Sequence, residues 1–213
     1  MRPVRMMTDM PTTTPAAPPD RDQLIATLTA AARERAATLG LDRVELARRV
    51  HETREPTSHQ ISDLDRILNG RRLGLLAATG LKLLDVLGLQ ELRPVWTPVD
   101  AGPSQRAANL SAATDLRLGT DTSIRGRLTY AAARRAVDIG MTREELARRA
   151  GLVDLDRDPP PPDHTLRAIA TRYMIGRTSL LSQGGLDVLR ALGLQELQPV
   201  WRTKRGKGKS ASV

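Results

Sequence analysis

The sequence predicts an all-α protein built from two tandem copies of one helical domain. The chain has 213 residues, of which only 2% are aromatic, and no Phe. Its apolar residues are mainly Leu, Ala, Val and Ile, which fill helix interfaces well, whereas sheets favour aromatic and β-branched side chains. The duplication is visible in LGLQELRPVW at 87–96, which returns as LGLQELQPVW at 192–201 with nine of ten residues identical.

The repeat extends towards the N-terminal end of each copy. Residues 28–50 align with 128–150, and 13 of these 23 positions are identical. The offset then grows from 100 to 105, and RDPPPPD at 157–163 supplies the extra residues in a loop, because proline cannot continue a helix. The predicted organisation is a disordered tail at 1–20, a first domain at 21–98, a linker at 99–122, a second domain at 123–202 and a basic disordered tail at 203–213.

Local signals define the first helices of each copy. A helix over about 22–38 ends at Gly40, which suits a left-handed C-terminal cap. Asp42, followed three residues later by Glu45, begins a short second helix, and the second copy repeats this pattern with Thr142 and Glu145. Apolar spacing predicts third helices over about 59–69 and 164–176.

The matched ten-residue segment has two interpretations. Its leucines can close the core of each copy, with Trp96 and Trp201 covering the point where the chain leaves the domain. Alternatively, the two segments pack on each other as a pseudo-twofold interface.

The order of these parts resembles the phage repressor/Cro-like (XRE-type) helix-turn-helix family. The resemblance lies in a helix ending in Gly, then [DT]-R-x-E-L-A-R-R, a third helix ending in ILNGRR and a closing LKLLDVLGLQEL. It implies a five-helix core in which helices 2 and 3 bind DNA. The chain departs from the family between those helices, where 51–60 and 151–165 replace a tight turn that opens with Gly-Val-Ser.

The resemblance, with a net charge of +9, implies double-stranded DNA as the partner. The third helix would enter the major groove, where Arg and Gln side chains can make two hydrogen bonds to one base edge. The candidates for base contacts are Gln60, Ser62, Arg66, Thr165, Arg167 and Thr171. The candidates for phosphate contacts are Arg43, Arg71, Arg72, Arg143, Arg172, Arg177, Lys204, Arg205, Lys207 and Lys209. The first copy is expected to bind less well, since Asp63 and Asp65 would repel phosphates.

These observations predict a sequence-specific transcriptional regulator, a repressor, acting as a covalent pseudo-dimer on an asymmetric site. The alternative is a protein-interaction adaptor or antitoxin-type module on the same helical fold, and a further homodimer remains open. No catalytic residue, metal or cofactor is expected, because HETRE is not the metalloprotease H-E-x-x-H and the chain has no Cys. Without a membrane span or leader, we expect a cytoplasmic, nucleoid-associated protein.

Overall fold

The computed structural model describes residues 20–70, 73–98 and 121–203, and each copy is mostly helical. The described part of the first copy contains, in order, α1 (Arg21–Thr38), α2 (Arg43–His51), α3 (Ser58–Leu68), a 3-10 turn (Leu73–Leu76), α4 (Ala78–Val86) and β1 (Leu89–Trp96). The described part of the second contains α5 (Ile124–Asp138), α6 (Arg143–Arg149), α7 (Asp163–Met174), α8 (Gln183–Ala191) and β2 (Leu194–Trp201).

The predicted helix boundaries around α2 and α6 are confirmed. Gly40 and Gly140 end the preceding helices with φ angles of 66° and 65°, a left-handed conformation that glycine adopts without strain. The Asp42 carboxylate then accepts a hydrogen bond of 2.7 Å from the Glu45 amide at the start of α2. An equivalent cap begins α6, where the side chain of Thr142 accepts a hydrogen bond from the Glu145 backbone amide.

The third helices, α3 and α7, also form as predicted, and both are followed by a glycine with positive φ. These are Gly70 at 68° and Gly176 at 75°, so positions of α3 and α7 correspond at an offset of 106. Leu64, Ala170 and Met174 face the core and are at most 3% exposed. Each helix therefore buries one side and leaves the other side exposed to solvent.

The predicted fifth helix is replaced by a strand. Gly88 and Gly193, with φ angles of 83° and 85°, end α4 and α8, and the chain then runs extended as β1 and β2. Pro94 and Pro199 could not sit inside a helix, because proline lacks the amide proton and clashes with the preceding turn. The all-α prediction is therefore wrong for this segment, and among the described residues the helices are joined by one two-stranded sheet.

The two strands pair with each other antiparallel, with a register that is symmetric between the copies. Arg93 of β1 lies opposite Gln198 of β2. Gln198 is also the residue that corresponds to Arg93 in the second copy, at an offset of 105, so this pair lies on a pseudo-twofold axis. The pairs on either side are related in the same way: Leu89 with Trp201 and Trp96 with Leu194, Glu91 with Val200 and Val95 with Glu196, Leu92 with Pro199 and Pro94 with Leu197. The interpretation of the repeated segments as a pseudo-twofold interface is confirmed.

An arginine from the first helix of each copy contacts the end of the other copy's strand. Arg135 of α5 donates from Nε to the carbonyl of Leu192 at 3.2 Å and also donates to the carbonyl of Thr97. Its guanidinium carbon lies 5.8 Å from the centre of the Trp96 ring. Burial lowers the pKa of Arg135, and the nearby Asp138 carboxylate partly opposes that effect. The ordinary value is so high that the side chain stays charged at neutral pH.

The same contacts recur around α1. Arg35 donates from Nε to the carbonyl of Leu87 at 3.2 Å and from Nη2 to the carbonyl of Arg202 at 2.6 Å. Its guanidinium carbon lies 5.8 Å from the Trp201 ring centre. Each copy therefore supplies both a strand and an arginine that receives the other copy's strand.

The leucines of the matched segments close a core that is continuous between the copies. The six that are buried to 1% exposure or less are Leu87, Leu89, Leu92, Leu192, Leu194 and Leu197. The interpretation of these residues as core packing is also confirmed, because each strand pairs through its backbone while its leucines face inward.

Two glycines at equivalent positions of α4 and α8 give a first testable prediction. A Cβ on Gly185 would lie 2.4 Å from the Cα of Leu180, and one on Gly80 would lie 2.1 Å from the carbonyl oxygen of Gly74. Since backbone cannot move aside cheaply, we expect Gly185→Ala to destabilise the protein by about 1–3 kcal/mol. Thermal unfolding measures this, with Arg134→Ala as the control, because Arg134 is exposed on α5 and its ion pair with Asp138 stays within that helix; an unchanged midpoint for Gly185→Ala would contradict the close approach.

Candidate nucleic-acid interface

The outer side of α7 is joined to the first turn of α6 by a short chain of polar contacts. Arg167 is exposed, and its Nε lies 2.5 Å from Oε1 of Glu144. Next to this pair, Arg143 donates from Nη1 to the hydroxyl of Thr171 at 2.7 Å. We call these four residues, Arg143, Glu144, Arg167 and Thr171, the α6–α7 clamp.

The clamp determines which groups are available to a ligand. The Thr171 hydroxyl donates its only proton to the backbone carbonyl of Arg167 at 2.7 Å, so towards any ligand it can act only as an acceptor. Arg167 has an exposed guanidinium, while Glu144 is largely buried, with 14% of its side chain exposed. Any hydrogen-bond acceptor that approaches Arg167 would therefore compete with this carboxylate.

Arg143 is the most enclosed of the candidate phosphate-binding residues that the structure describes. Burial lowers the pKa of its guanidinium, the Glu144 carboxylate raises it, and the neighbouring Arg167 cation lowers it. The ordinary pKa of arginine is so high that the side chain remains protonated at neutral pH. Arg143 thus brings a positive charge to the edge of α7 while it holds Thr171 in place.

The first copy has a different set of contacts at the same positions. Arg43 lies 3.2 Å from the Asp65 carboxylate, so the candidate phosphate-binding cation of α2 is already paired. Gln60 uses its amide oxygen to accept from the Thr57 backbone amide at 2.9 Å, which closes the N-terminal end of α3. Ser62 is exposed on the same helix.

Structural correspondence explains why the copies differ. Positions of α2 and α6 correspond at an offset of 100, so Val44 is the counterpart of Glu144. Positions of α3 and α7 correspond at an offset of 106, so Ile61 is the counterpart of Arg167. The first copy thus carries two apolar residues in place of the ion pair. At the same offset Asp65 corresponds to Thr171, which turns an arginine–hydroxyl contact into an arginine–carboxylate pair.

Two candidate arginines occupy matching exposed positions in the two copies. Arg66 of α3 and Arg172 of α7 correspond at the offset of 106, and both are exposed. Neither has an ion pair with another described residue. Arg177 is exposed directly after Gly176, at the C-terminal end of α7. Thr165, in the first turn of α7, is half-buried. Six further candidates lie outside the described residues: Arg71, Arg72, Lys204, Arg205, Lys207 and Lys209.

Sequence reasoning missed the residues that fix the long turn between the second and third helices. In the second copy Arg148 of α6 forms an ion pair with Asp163, the first residue of α7. In the first copy the equivalent Arg48 donates from Nε to the carbonyl of Arg54 at 2.9 Å. The signal was present in the repeated ELARR, but the partners lie in the two loops that do not align.

The described residues contain no group of three or more His, Cys, Asp or Glu side chains placed to hold a metal ion. Within those same ranges, no helix has the length and apolar character required to cross a membrane. When the chain is compared with known proteins, no protein-family model, no curated protein and no solved structure matches it.

Proposed function

We propose that the chain is a transcriptional regulator, a repressor, that binds double-stranded DNA in a sequence-specific manner through α3 and α7. The single observation that carries this proposal is the pseudo-twofold register of β1 and β2, centred on Arg93 and Gln198. Dimeric helix-turn-helix proteins read two half-sites through a twofold axis that relates their third helices. Here the two copies are related within one chain.

The exposed sides of α3 and α7 support the same proposal. Ser62 and Arg66 on α3, with Arg167 and Arg172 on α7, are exposed while the opposite sides of both helices are buried. Arginine is the side chain best suited to recognise guanine through two hydrogen bonds. Such helices present polar and cationic groups to a groove without disturbing the core.

The differences between the copies favour an asymmetric binding site. The second copy offers Arg143, Arg167 and Arg172 near one helix, whereas in the first copy Arg43 is paired with Asp65 and Ile61 replaces the base-reading arginine. We therefore assign sequence recognition mainly to α7, with α3 adding fewer base contacts through Ser62 and Arg66. A palindromic site would leave one half-site poorly recognised.

The experiment that tests the proposal is selection of binding sites from random duplexes by the purified full chain at two salt concentrations. We expect an asymmetric consensus with one well-defined half-site. We also expect an affinity that falls linearly with salt on logarithmic axes, since released counterions drive phosphate contacts. Selection of no sequence above background, with no salt-dependent binding to any duplex, would refute DNA binding.

A protein-interaction module is the second candidate, and the ion pairs on the outer helices favour it. Arg43 with Asp65 and Arg167 with Glu144 already neutralise two cations that DNA would otherwise engage. A protein partner would bind with a modest salt dependence, in contrast to the steep slope expected for DNA. Titration of a candidate complex with salt therefore separates the two functions.

Removal of the exposed cation Arg172 gives a prediction specific to phosphate binding. We expect Arg172→Ala to weaken binding to all duplexes by a similar factor and to reduce the salt slope by about 1. Fluorescence anisotropy with the selected site and a scrambled duplex measures both quantities. Arg134→Ala is the matched control, because Arg134 is equally exposed but bonds to Asp138 on its own helix. A loss confined to the selected site would contradict the phosphate role.

A further inference from the structure

The interface between the two copies is built so that either copy can receive a strand from outside its own chain. Each copy carries a donor strand, and each carries an arginine on its first helix that binds the carbonyl at the end of the incoming strand. For Arg35 that carbonyl belongs to Arg202, and for Arg135 it belongs to Thr97. These two hydrogen bonds and the strand pairing all join one copy to the other. Along the chain, the two copies are connected by residues 97–123.

We propose that a second copy of this chain is a partner for this surface, with the first half of one chain pairing with the second half of the other. The exchanged dimer would contain two strand pairs identical to that of the monomer, so no contact would be lost. Exchange of an identical element between protomers is a known low-energy route to dimers. This inference does not depend on DNA binding.

The length of the connection determines whether the chain forms the monomer or the exchanged dimer. A connection of this length gives the two halves of one chain an effective concentration of roughly 1 mM for each other. At micromolar protein the halves of one chain therefore pair with each other. When the protein is concentrated to about 1 mM, a second chain competes equally with the other half of the same chain, and when the connection is too short to close within one chain, a second chain becomes the better partner.

The path of the chain shows how short a connection must be to prevent closure. Thr122 and Ser123, just before α5, line the same cleft as Leu89 and Gln90 at the start of β1. Trp96 at the far end of β1 lies beside Arg135. The twelve residue steps from Ser123 to Arg135 along α5 rise about 18 Å. The two ends that the connection joins, Trp96 and Ser123, therefore lie about the length of α5 apart.

A deletion of residues 98–120 makes the connection too short to join Trp96 to Ser123 within one chain. It leaves four Cα steps between Trp96 and Ser123, which reach about 15 Å when fully extended. We expect this variant to sediment as a dimer or a larger closed assembly, while the full chain at 10 µM sediments as a monomer. A folded, monomeric deletion variant would overturn the proposal.

Disulfide trapping identifies which strands meet. The chain has no cysteine, and Arg93 and Gln198 lie opposite each other on exposed positions of the strand pair. The double variant Arg93→Cys/Gln198→Cys should form a bond within one chain in the full-length protein. In the deletion background it should form a covalent dimer. Gln198→Cys alone should form no covalent dimer in either background; a dimer from this single variant would overturn the assigned pairing.

Refolding of the unaltered chain tests the proposal without any deletion. After refolding from denaturant at about 1 mM, the ratio of dimer to monomer should be roughly fifty times the ratio obtained at 10 µM, when both samples are measured promptly by light scattering. Equal ratios at the two concentrations would overturn the proposal. Absence of DNA binding in the same samples would leave this result unaffected.

Discussion

We expect Arg135→Ala to lower the free energy of unfolding by about 2–4 kcal/mol, the largest effect of any single surface substitution proposed for this chain. The substitution removes two hydrogen bonds from a charged donor to the carbonyls of Leu192 and Thr97. Hydrogen bonds to charged groups contribute about 1.5–3 kcal/mol each when buried, and these are only partly buried. The contact with the Trp96 ring, also lost, contributes about 0.5–1 kcal/mol.

Thermal unfolding of the full chain measures the effect of Arg135→Ala. For a protein of this size, 1 kcal/mol corresponds to roughly 2–4 °C, so the midpoint should fall by about 5–12 °C. The neighbouring Arg134→Ala is the control, since its bond to Asp138 on the same helix is exposed and contributes at most about 1 kcal/mol. Equal shifts for the two variants would show that Arg135 does not hold the strand pair.

The second large effect concerns DNA recognition by Arg167. If α7 reads the better half-site, Arg167→Ala should reduce discrimination at one base pair by about 1–3 kcal/mol, or roughly 5- to 150-fold. The physical reason is that guanidinium hydrogen bonds to a base edge depend on which base is present. Repeated site selection with the variant measures the loss, and an unchanged consensus would contradict the role of Arg167.

Glu144→Gln is the matched companion to Arg167→Ala. It keeps the size of the side chain but removes the charge that Arg167 contacts in the free protein. Because DNA must displace this carboxylate, we expect the variant to bind the selected site more tightly, by about 3- to 10-fold, which corresponds to about 0.7–1.4 kcal/mol. Weaker binding would instead show that Glu144 orients Arg167 for its contact with DNA.

The helical part of each copy could be predicted because its signals are local. Gly40, Asp42 and Glu45 fix the end of one helix and the start of the next through contacts within a few residues. The third helices follow from apolar spacing alone. Such signals operate within one or two turns, so they can be read without knowing what lies across the core.

The strand pair could not be predicted with the same certainty because its partner is about 105 residues away. Leu, Gln and Glu in LGLQEL are compatible with a helix, and only the pairing with the other copy makes the extended form favourable. Arg35 and Arg135 were visible as repeated residues, but each also binds a carbonyl of the other copy, at Arg202 and Thr97 respectively, and those contacts leave no local signal.

The candidate site was predicted in part for a similar reason. The positions of α3 and α7 and their exposed sides follow from helical spacing, and Arg66, Arg167 and Arg172 are indeed exposed. The contact between Arg167 and Glu144 spans 23 residues across a loop with four consecutive prolines, an insertion that the shorter loop of the first copy lacks. Loops of that kind set the angle between helices without leaving a periodic signal.

The position of Arg93 opposite Gln198 has a consequence for how the two copies can change. In an assembly of identical subunits, a residue on the dyad meets itself, so each substitution alters both sides at once. A fused chain removes that restriction, because either side can be altered while its neighbour stays the same. The residue on the axis itself differs between the copies here, Arg93 in one and Gln198 in the other. In the same way, α3 and α7 can differ from each other while the strand pair is maintained.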